Sequence, residues 1–456
     1  MRENGWLVLI AGATALACAG SHPRGPVVRL DSTTRDSAGT TVLTLSKSPD
    51  AAAAGDVSAV ELAPDLDLGG GQRDGFNIVA DVATFRDGAI AVLDLVDCDI
   101  ALFDSTGALV RRFGRKGDGP GEFRFPVALS AVGPDLIVIE ADPTRAFTVF
   151  DTTGAVVETA PAPVAGDWAA MARRNPTLAR NGANAREASG SEDITLRLSA
   201  GGDSTFIVTL SPDETATHWA DGRATAVAVQ FDLRGRVLDT VAALSSAPRL
   251  HSTVALRGGR GRMTVPYATI PIFAPRALVA VGGGWTATSV GDTGAVEIDR
   301  EGRSAALRIE WRGARQAISQ SNRLEVGHWL LRAAIAGSEQ ARSTAAKMSA
   351  SQRDAAEQQF LQRISFADSI PQITAMYGAG HCLWLAGFAP RDYVDGTSHT
   401  WISIDVTHDT IGTVVRIPRV GARVRHIDRR AIYATYFDAD GVEHVERYPL
   451  PRSACN

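Results

Sequence analysis

Short apolar runs separated by turn residues recur along most of the chain, and several of them close with the same motif. The motif is an apolar residue, then Asp, two variable residues and Gly. It occurs four times, at Phe103–Gly107, Phe150–Gly154, Phe231–Gly235 and Ile298–Gly302. A looser copy follows at Ile404–His408. Apolar runs of this length bounded by Gly and Asp are typical of antiparallel strands joined by tight turns. The pattern therefore predicts a repeated all-β unit.

The first two copies belong to longer segments that align without a gap when Phe103 is set against Phe150. In that register a turn and the strand after it also match, with Asp87–Leu93 against Pro134–Glu140. The copy that closes at Gly302 keeps the same register, with its turn and strand at Gly282–Thr288. A unit of roughly 40–50 residues with about four strands has the size of one propeller blade.

Six such units fit the chain. The last one lies over Ile432–Leu450, where two strand-like runs flank a turn at Asp440-Gly441. The spacing between units is uneven, which implies insertions in the loops. We therefore predict an all-β, six-bladed β-propeller over residues 57–450, with insertions at about 160–200 and 327–364 and a short tail over 451–456. The second insertion is expected to be helical, because Leu330, Leu331, Ala334 and Ile335 form one apolar face.

Between the first two units the chain reads RFGRKGDGPGEF over Arg112–Phe123, followed by Pro126. This stretch resembles the blade-to-blade linker of NHL repeats. The whole chain is similar to bacterial secreted six-bladed β-propeller proteins of the NHL-like group. The match is good over 77–154, fair over 276–302 and 378–450, and poor over 160–225. The resemblance also implies a helical insertion over 327–364. We expect this insertion to pack on the propeller rim or, alternatively, to cover the channel mouth or form a docking surface.

The N-terminus predicts export. An apolar run over Trp6–Ala17 has the length of a signal-peptide core, so residues 1–17 are expected to be removed. Cys18 follows Ala-Leu-Ala and would be lipidated in a lipoprotein, while ordinary secretion is the alternative. Residues 18–56 have the composition of a mobile tether. We further expect the ring to close through a strand at 57–62 or 41–45 that pairs with the 432–450 unit.

Charge and cysteine content exclude several classes of function. The formal net charge of −5 argues against a nucleic-acid partner, and membrane contact is expected only through the N-terminal lipid. Three further cysteines, Cys98, Cys382 and Cys455, contain no C-x-x-C pair, and their odd number leaves one free or paired between chains. Five arginines near the C-terminus form a solvated surface or, alternatively, an anion site: Arg419, Arg423, Arg425, Arg429 and Arg430.

No sequence motif for catalysis, a metal or a cofactor stands out. Some six-bladed relatives are metal-dependent lactonases or lyases with a site at the channel. Residues that would face such a channel here are Asp81, Asp94, Glu140, Asp142 and His381. The resemblance also implies a structural role, because Asp94 and the pair Asp142 and Arg145 match residues that tie NHL blades together by hydrogen bonds. We expect no cofactor and leave a divalent cation such as calcium open.

Aromatic side chains are concentrated in the later units, at Trp285, Trp384, Trp401, Tyr377 and Tyr393. Such residues pack between blades or, where exposed, bind sugars and peptides. The sequence thus favours an exported, lipid-anchored module of the cell envelope that binds a protein, a peptide or a carbohydrate. A metal-dependent hydrolase and a purely structural envelope module are the alternatives, and an enzyme is the less favoured class.

Overall fold

The computed structural model describes 29–53, 57–70, 75–140, 146–161, 195–200, 204–211, 225–245, 250–258, 261–269, 273, 277–290, 294–302, 306–313, 315–336, 358, 361–362, 364–387, 399–419, 421–438 and 440–454. Statements below about what is present or absent apply to these described residues. No helix among them is long and apolar enough to span a lipid bilayer.

Strands dominate the described residues, which also include the helices α1 (Pro49–Ala53) and α2 (Gln320–Ala336). The first strands in chain order are β1 (Ser32–Ser37), β2 (Thr40–Leu45), β3 (Val60–Glu61), β4 (Leu66–Leu68), β5 (Val79–Thr84), β6 (Ile90–Asp94), β7 (Asp99–Phe103), β8 (Leu109–Phe113), β9 (Pro126–Val132), β10 (Asp135–Glu140), β11 (Ala146–Phe150), β12 (Val156–Pro161), β13 (Thr195–Ala200), β14 (Thr205–Ser211) and β15 (Thr225–Asp232). They continue with β16 (Val237–Ser245), β17 (Leu250–Gly258), β18 (Gly261–Thr269), β19 (Ala277–Gly282), β20 (Trp285–Val290), β21 (Ala295–Arg300), β22 (Ala306–Trp311), β23 (Ala375–Ala379), β24 (Cys382–Ala386), β25 (Thr400–Asp405), β26 (Thr410–Arg416), β27 (Arg423–Ile427), β28 (Ala431–Phe437) and β29 (Glu443–Pro449).

Six antiparallel sheets form the blades of a propeller. Blade 1 is β5–β8, blade 2 is β9–β12, blade 3 is β13–β16, blade 4 is β19–β22, blade 5 is β23–β26, and blade 6 is β27–β29 with β4 as its outer strand. The first strand of each blade contacts the first strands of the blades on either side, so that β5, β9, β13, β19, β23 and β27 close a ring. The predicted all-β, six-bladed β-propeller is therefore confirmed.

The apolar core lies between the blades. Five clusters of buried side chains join blade 1 to 2, 2 to 3, 4 to 5, 5 to 6 and 6 to 1. Second strands are covered on both faces by neighbouring blades, which is why β6 and β24 are buried along their whole length. This arrangement explains the short, continuous apolar runs in the sequence, because a strand that is covered on both faces needs no polar alternation.

The repeated Asp motif has a local structural cause. The Asp104 carboxylate accepts hydrogen bonds of 2.9 and 3.0 Å from the amides two and four residues later, at the turn between the third and fourth strands. Gly107 then takes a φ of +89°, which favours glycine. Asp151 and Asp232 bind the corresponding amides of their own turns. The motif is thus an Asp-stabilised turn that reverses the chain at the edge of a blade.

Ring closure uses an N-terminal strand, but not one of the two that we predicted. Strand β4 pairs antiparallel with β29 and completes blade 6. Of the predicted candidates, 60–61 forms β3 and pairs parallel with β26 in blade 5, and 40–45 forms β2 and pairs parallel with β22 in blade 4. The N-terminal segment therefore adds strands to blades 4, 5 and 6 in turn before it enters blade 1.

Part of the predicted tether is packed against the propeller. Strands β1 and β2 form a hairpin, and the side chains of Leu43 and Leu45 are completely buried in the core of blades 4 and 5. Residues 32–53 consequently do not form the mobile tether that we predicted over 18–56, because β2 extends blade 4 and buries its apolar side chains. The predicted signal peptide over 1–17 and Cys18 lie outside the described residues.

Both predicted insertions have different bounds in the structure. Residues 195–200 were assigned to the first insertion but form β13, the inner strand of blade 3. The helical insertion begins at Gln320 rather than 327, because Ser319 caps α2 by accepting a hydrogen bond of 3.1 Å from the Asn322 amide. Residues 337–357 lie outside the described residues. The hairpin β17–β18 was not predicted.

The cysteines are in different states. Cys98 is free and buried, and burial raises the pKa of its thiol, with neighbouring acids adding to the effect. A buried thiol that stays protonated is a poor nucleophile. Cys382 is disulfide-bonded. Cys455 and Cys18 lie outside the described residues, so the pairing is not assigned.

Candidate functional site: the propeller channel and its two mouths

A cavity of about 650 Å³ lies on the propeller axis. Residues of β5, β9, β19, β23 and β27 and of the turns after them line it. We call the face on which the first strands begin the upstream face and the face on which they end the downstream face. Four basic and two acidic side chains line the cavity, namely Arg86, Arg425, His426, Arg429, Asp81 and Asp428.

Both acidic side chains of the channel are bound to backbone amides. One Asp81 oxygen accepts a hydrogen bond of 3.0 Å from the Leu129 amide of blade 2, and the other accepts one of 2.9 Å from the Val82 amide. Asp428 accepts hydrogen bonds of 2.7 and 2.8 Å from amides two and three residues later. Among the described lining residues there are three arginines and two carboxylates, and both carboxylates already accept hydrogen bonds from backbone amides.

Arg425 joins blade 6 to blade 1 inside the channel. Its Nη1 donates to the carbonyl of Ala80 over 3.4 Å, and its Nη2 lies 3.7 Å from the buried carboxylate of Glu443. Glu443 in turn accepts a hydrogen bond of 2.6 Å from the Val79 amide. This contact holds the first strand of blade 1 against the last blade.

His426 is half-buried in the channel wall, and its Nε2 lies 3.1 Å from the Thr84 hydroxyl. Burial lowers the pKa of His426 and outweighs the opposing effect of the Asp428 carboxylate. The imidazole is therefore neutral at neutral pH, and with Thr84 it forms a polar but uncharged part of the wall.

Two acids that the sequence suggested for the channel have structural roles. Asp94 is buried and accepts a hydrogen bond of 2.7 Å from the Asn77 amide, just before the first strand of blade 1. Glu140 does the same in blade 2, with a bond of 2.6 Å from the Arg124 amide. Both carboxylates fix the chain where it enters a new blade. The structural interpretation of Asp94 is confirmed, and Glu140 is the equivalent residue in blade 2.

Of the remaining channel candidates, the structure describes His381. His381 lies in the turn after β23, where its carbonyl accepts a hydrogen bond of 2.9 Å from the Val406 amide, and it is not among the residues that line the cavity. Asp142 and Arg145 lie outside the described residues. Within the described ranges, no group of three or more His, Cys, Asp or Glu side chains is arranged to hold a metal ion.

No protein-family model and no curated protein matches this sequence. Solved structures similar to the chain include a candidate exported protein from Bacteroides fragilis, with 10% identity, a TM-score of 0.41 and coverage of 86% of this chain and 95% of that chain. Two others are the Cps50 (Swd1) β-propeller domain of Myceliophteria thermophila and a luciferin-regenerating enzyme. The Cps50 domain has 8% identity, a TM-score of 0.34 and coverage of 86% and 100%. The enzyme has 8% identity, a TM-score of 0.38 and coverage of 86% and 98%. At this level of similarity none of them carries an argument about function.

An apolar patch lies on the upstream face beside the channel mouth. Ile78, Val96 and Phe125 are 42%, 49% and 49% exposed. The Ile78 carbonyl accepts a hydrogen bond from the residue before Val96, and the Cys98 sulfur lies within 3.9 and 3.7 Å of the carbonyls of Val96 and Arg124. The loops of blades 1 and 2 thus bring three large apolar side chains together; we call them the upstream patch.

The loops under the upstream patch are held by buried polar contacts. The Asn77 and Arg124 amides, each adjacent to a patch residue, are the donors to Asp94 and Glu140. Asp94 also accepts a hydrogen bond of 2.8 Å from the Val96 amide. The patch is therefore presented on fixed backbone, and the two acids proposed for catalysis instead support a surface.

The aromatic side chains of the later blades are core residues. Trp285, Trp384 and Trp401 are all buried, and Tyr377 packs edge-on against Trp401 with ring centres 5.6 Å apart. Tyr393 lies outside the described residues. Packing between blades, rather than an exposed sugar-binding surface, explains the tryptophans.

The five C-terminal arginines occupy separate places. Arg419 pairs with the buried Glu446 and stacks on Tyr436 at 3.8 Å, while Arg423 is exposed on β27. Arg425 and Arg429 line the channel, and Arg430 donates a hydrogen bond of 3.1 Å to the carbonyl of Arg86. They do not form one basic cluster, although the sequence brings them within a short stretch of chain.

Proposed function

We propose that this protein is an exported module of the cell envelope that binds a protein or peptide on its upstream face. The observation that carries the proposal is the upstream patch, Ile78, Val96 and Phe125, exposed beside the mouth of the channel. Clustered large apolar side chains are unfavourable in water and are typical of recognition surfaces. The ligand that fits is a protein segment or peptide that presents apolar side chains to these three exposed residues.

The other functional hypotheses have less support. A metal-dependent hydrolase needs converging donors, and the described residues that line the channel include only two carboxylates, both engaged by backbone amides. A carbohydrate ligand would be served by exposed tryptophans, whereas Trp285, Trp384 and Trp401 are buried. A purely structural role would leave the upstream patch without a ligand, and this is the outcome that the experiment below must distinguish.

The test is selection of random peptides displayed on phage against the full chain. We expect enriched peptides with apolar side chains, and at least about tenfold weaker binding to Phe125→Ser, because interface anchors of this kind contribute more than 1 kcal/mol. Val110→Ser is the matched control, since Val110 is 52% exposed on β8, away from the patch. Equal binding to the Phe125→Ser variant, or no enrichment of any peptide, would refute peptide binding at this surface.

Anchoring is tested separately. We propose that a lipid on Cys18 attaches the protein to a membrane. Cys18→Ser should abolish incorporation of labelled palmitate and move the protein from the membrane to the soluble fraction. If the wild-type chain incorporates no label, the lipid anchor is wrong and ordinary secretion takes its place.

A further inference from the structure

The C-terminal tail leaves the last blade and packs against the blade before it. Strand β29 ends at Pro449, and the chain then turns, with the Ala454 amide donating a hydrogen bond of 2.8 Å to the Pro451 carbonyl. Ala454 is 4% exposed and belongs to the apolar core between blades 5 and 6. This part of the tail is therefore built into the propeller wall.

Three contacts fix the tail on the third and fourth strands of blade 5. The carbonyl of Ala454 accepts a hydrogen bond from the buried hydroxyl of Ser403. The Thr413 hydroxyl donates a hydrogen bond of 3.1 Å to the carbonyl of Ser453. A β-carbon added to Gly412 would collide with the Ala454 carbonyl, so glycine at this position makes room for the tail.

Cys382 lies on the same face of blade 5. In the pairing of β24 with β25 it is two residues from Trp384, which is directly opposite Ser403. Residues two apart on a strand point to the same face of the sheet, and diagonal neighbours on paired strands lie about 7–8 Å apart. Cys382 and Ala454 also belong to the same buried core. The Cys382 sulfur is thus close to the place where the tail packs.

The state of the cysteines restricts the partner of Cys382. Cys382 is disulfide-bonded, and the sequence contains three other cysteines. Cys98 is free and is buried in the core between blades 1 and 2. Cys18 and Cys455 remain, and both lie outside the described residues. A lipid on the Cys18 sulfur, as proposed above, would leave no thiol there for a disulfide.

Cys455 is within reach of Cys382. It follows directly on Ala454, the residue that Ser403 holds, and consecutive α-carbons are about 3.8 Å apart. The α-carbons of disulfide-bonded cysteines lie roughly 4.4–6.8 Å apart. One residue step from Ala454 towards β24 can meet this spacing without any rearrangement of the blade.

We propose that Cys382 and Cys455 form a disulfide that ties the C-terminal tail to blade 5. The bond closes a covalent loop that contains β27, β28 and β29, so that the last blade is held by this loop as well as by its pairing with β4. The inference does not depend on peptide binding at the upstream patch.

Formation of the bond needs an oxidant. When the S–S bond forms, the two thiols lose two protons and two electrons, and a protein or small-molecule disulfide accepts them and is itself reduced to two thiols. Such a bond persists in oxidising compartments, as expected for an exported protein. Cys382 is 4% exposed, which shields its sulfur from thiols in solution and suits a structural bond.

The test is peptide mapping of the full chain, equilibrated with reduced and oxidised glutathione and then alkylated in denaturant. Trypsin should give peptide 364–391, which contains Cys382, joined to peptide 453–456, which contains Cys455. Peptide 87–111 should carry one alkyl group, on Cys98. Alkylated Cys382, or Cys382 joined to Cys18, would overturn the proposal. Joined peptides found only in a disulfide-linked dimer would overturn it as well.

The Cys455→Ser variant measures the effect of the bond on stability. It should lower the melting temperature by several degrees, because the unfolded chain regains conformations that the covalent loop excludes. Ser453→Ala, at an exposed residue of the same tail, is the matched control and should keep both the joined peptides and the melting temperature. The Cys18→Ser variant should also keep the joined peptides. Equal melting temperatures of the wild type and the Cys455→Ser variant would contradict a bond that holds the last blade.

Discussion

The N-terminal segment pairs with blade 4 through β2 and with blade 6 through β4, and the two pairings differ in how much they depend on apolar burial and on charged contacts. At blade 4, strand β2 runs parallel to β22 over six residue pairs, and Leu43 and Leu45 are completely buried beside Leu307 and Ile309. The buried face of this junction is apolar and depends on area removed from water. Its other face carries charged residues, because Arg308 and Glu310 of β22 lie opposite Val42 and Thr44, and Arg35 of β1 lies 3.4 Å from Glu310.

At blade 6, strand β4 pairs with β29 over three residue pairs, and charged groups hold it. Arg447 binds both oxygens of Asp65 at 2.8 and 3.1 Å. His444 lies between Asp67, 2.8 Å from Nδ1, and Asp438, 3.2 Å from Nε2. These polar contacts add to the apolar burial of Leu68, which is 4% exposed in the core between blades 6 and 1. The difference predicts that the blade 4 junction depends mainly on apolar burial, whereas the shorter ring-closing pairing depends more on salt and pH.

The largest expected effect is at the apolar junction. Leu43→Ala should lower the free energy of unfolding by about 2–5 kcal/mol, because a buried leucine side chain is replaced by a cavity. Urea unfolding measures the loss, which should be the same at low and high salt. Thr34→Ala is the control, since Thr34 is exposed and pairs with Leu43 on the outer strand of the same hairpin. A loss below about 1 kcal/mol would mean that the hairpin is not part of the cooperative unit.

The two junctions also show what sequence alone could predict. The sequence predicts a blade wherever a local structural motif repeats, such as the Asp-stabilised turns at Asp104 and Asp151. The closing strand could not be found in this way, because Leu66–Leu68 is a three-residue strand whose partner is at the other end of the chain. Blade 3 was obscured in part because its inner strand, Thr195–Ala200, follows a long insertion.

The candidate site was predicted only in part. Asp81 was expected to face the channel and does line it. Arg425 and His426 were not recognised as channel residues, because the direction in which a side chain of an inner strand points depends on the closure of the whole ring. The alternation of polar and apolar residues over Arg423–Ile427 was the available signal. The upstream patch had no sequence signal, since its three residues come from separate loops.

A smaller effect is expected from the main ion pair of ring closure. Arg447→Met keeps the aliphatic stem but removes the contacts with Asp65 and a hydrogen bond of 2.8 Å to the carbonyl of Ser105 in blade 1. The loss should be about 1–2 kcal/mol, because the pair is partly exposed, and it should shrink at high salt. Arg452→Met, at an exposed arginine of the C-terminal stretch, is the control. A loss unaffected by salt would contradict the electrostatic account of this junction.

The smallest effect, and the most specific to ring closure, is the pH dependence that His444 confers. Burial alone would lower the pKa of His444, but the hydrogen bonds that the ring donates to Asp67 and Asp438 outweigh it, and the pKa is raised above the ordinary value of 6.5. Only the doubly protonated ring can donate to both carboxylates at once. Tyr436, stacked on the ring at 4.9 Å, also donates a hydrogen bond of 3.0 Å to Asp67 and keeps that carboxylate in place.

Because the folded state binds the proton more tightly than the unfolded chain, the stabilisation from His444 is complete below the unfolded pKa and is lost as the pH rises through the raised folded value. The free energy of unfolding should therefore fall from about pH 6 to about pH 8 by roughly 1 kcal/mol or less. His444→Gln should remove this part of the decline, and Asp67→Asn should reduce it, whereas Leu43→Ala should leave the slope unchanged. Equal slopes in the wild type and in the His444→Gln variant would show that the charged junction closes the ring without the imidazolium, which would leave Arg447 as its main electrostatic contact.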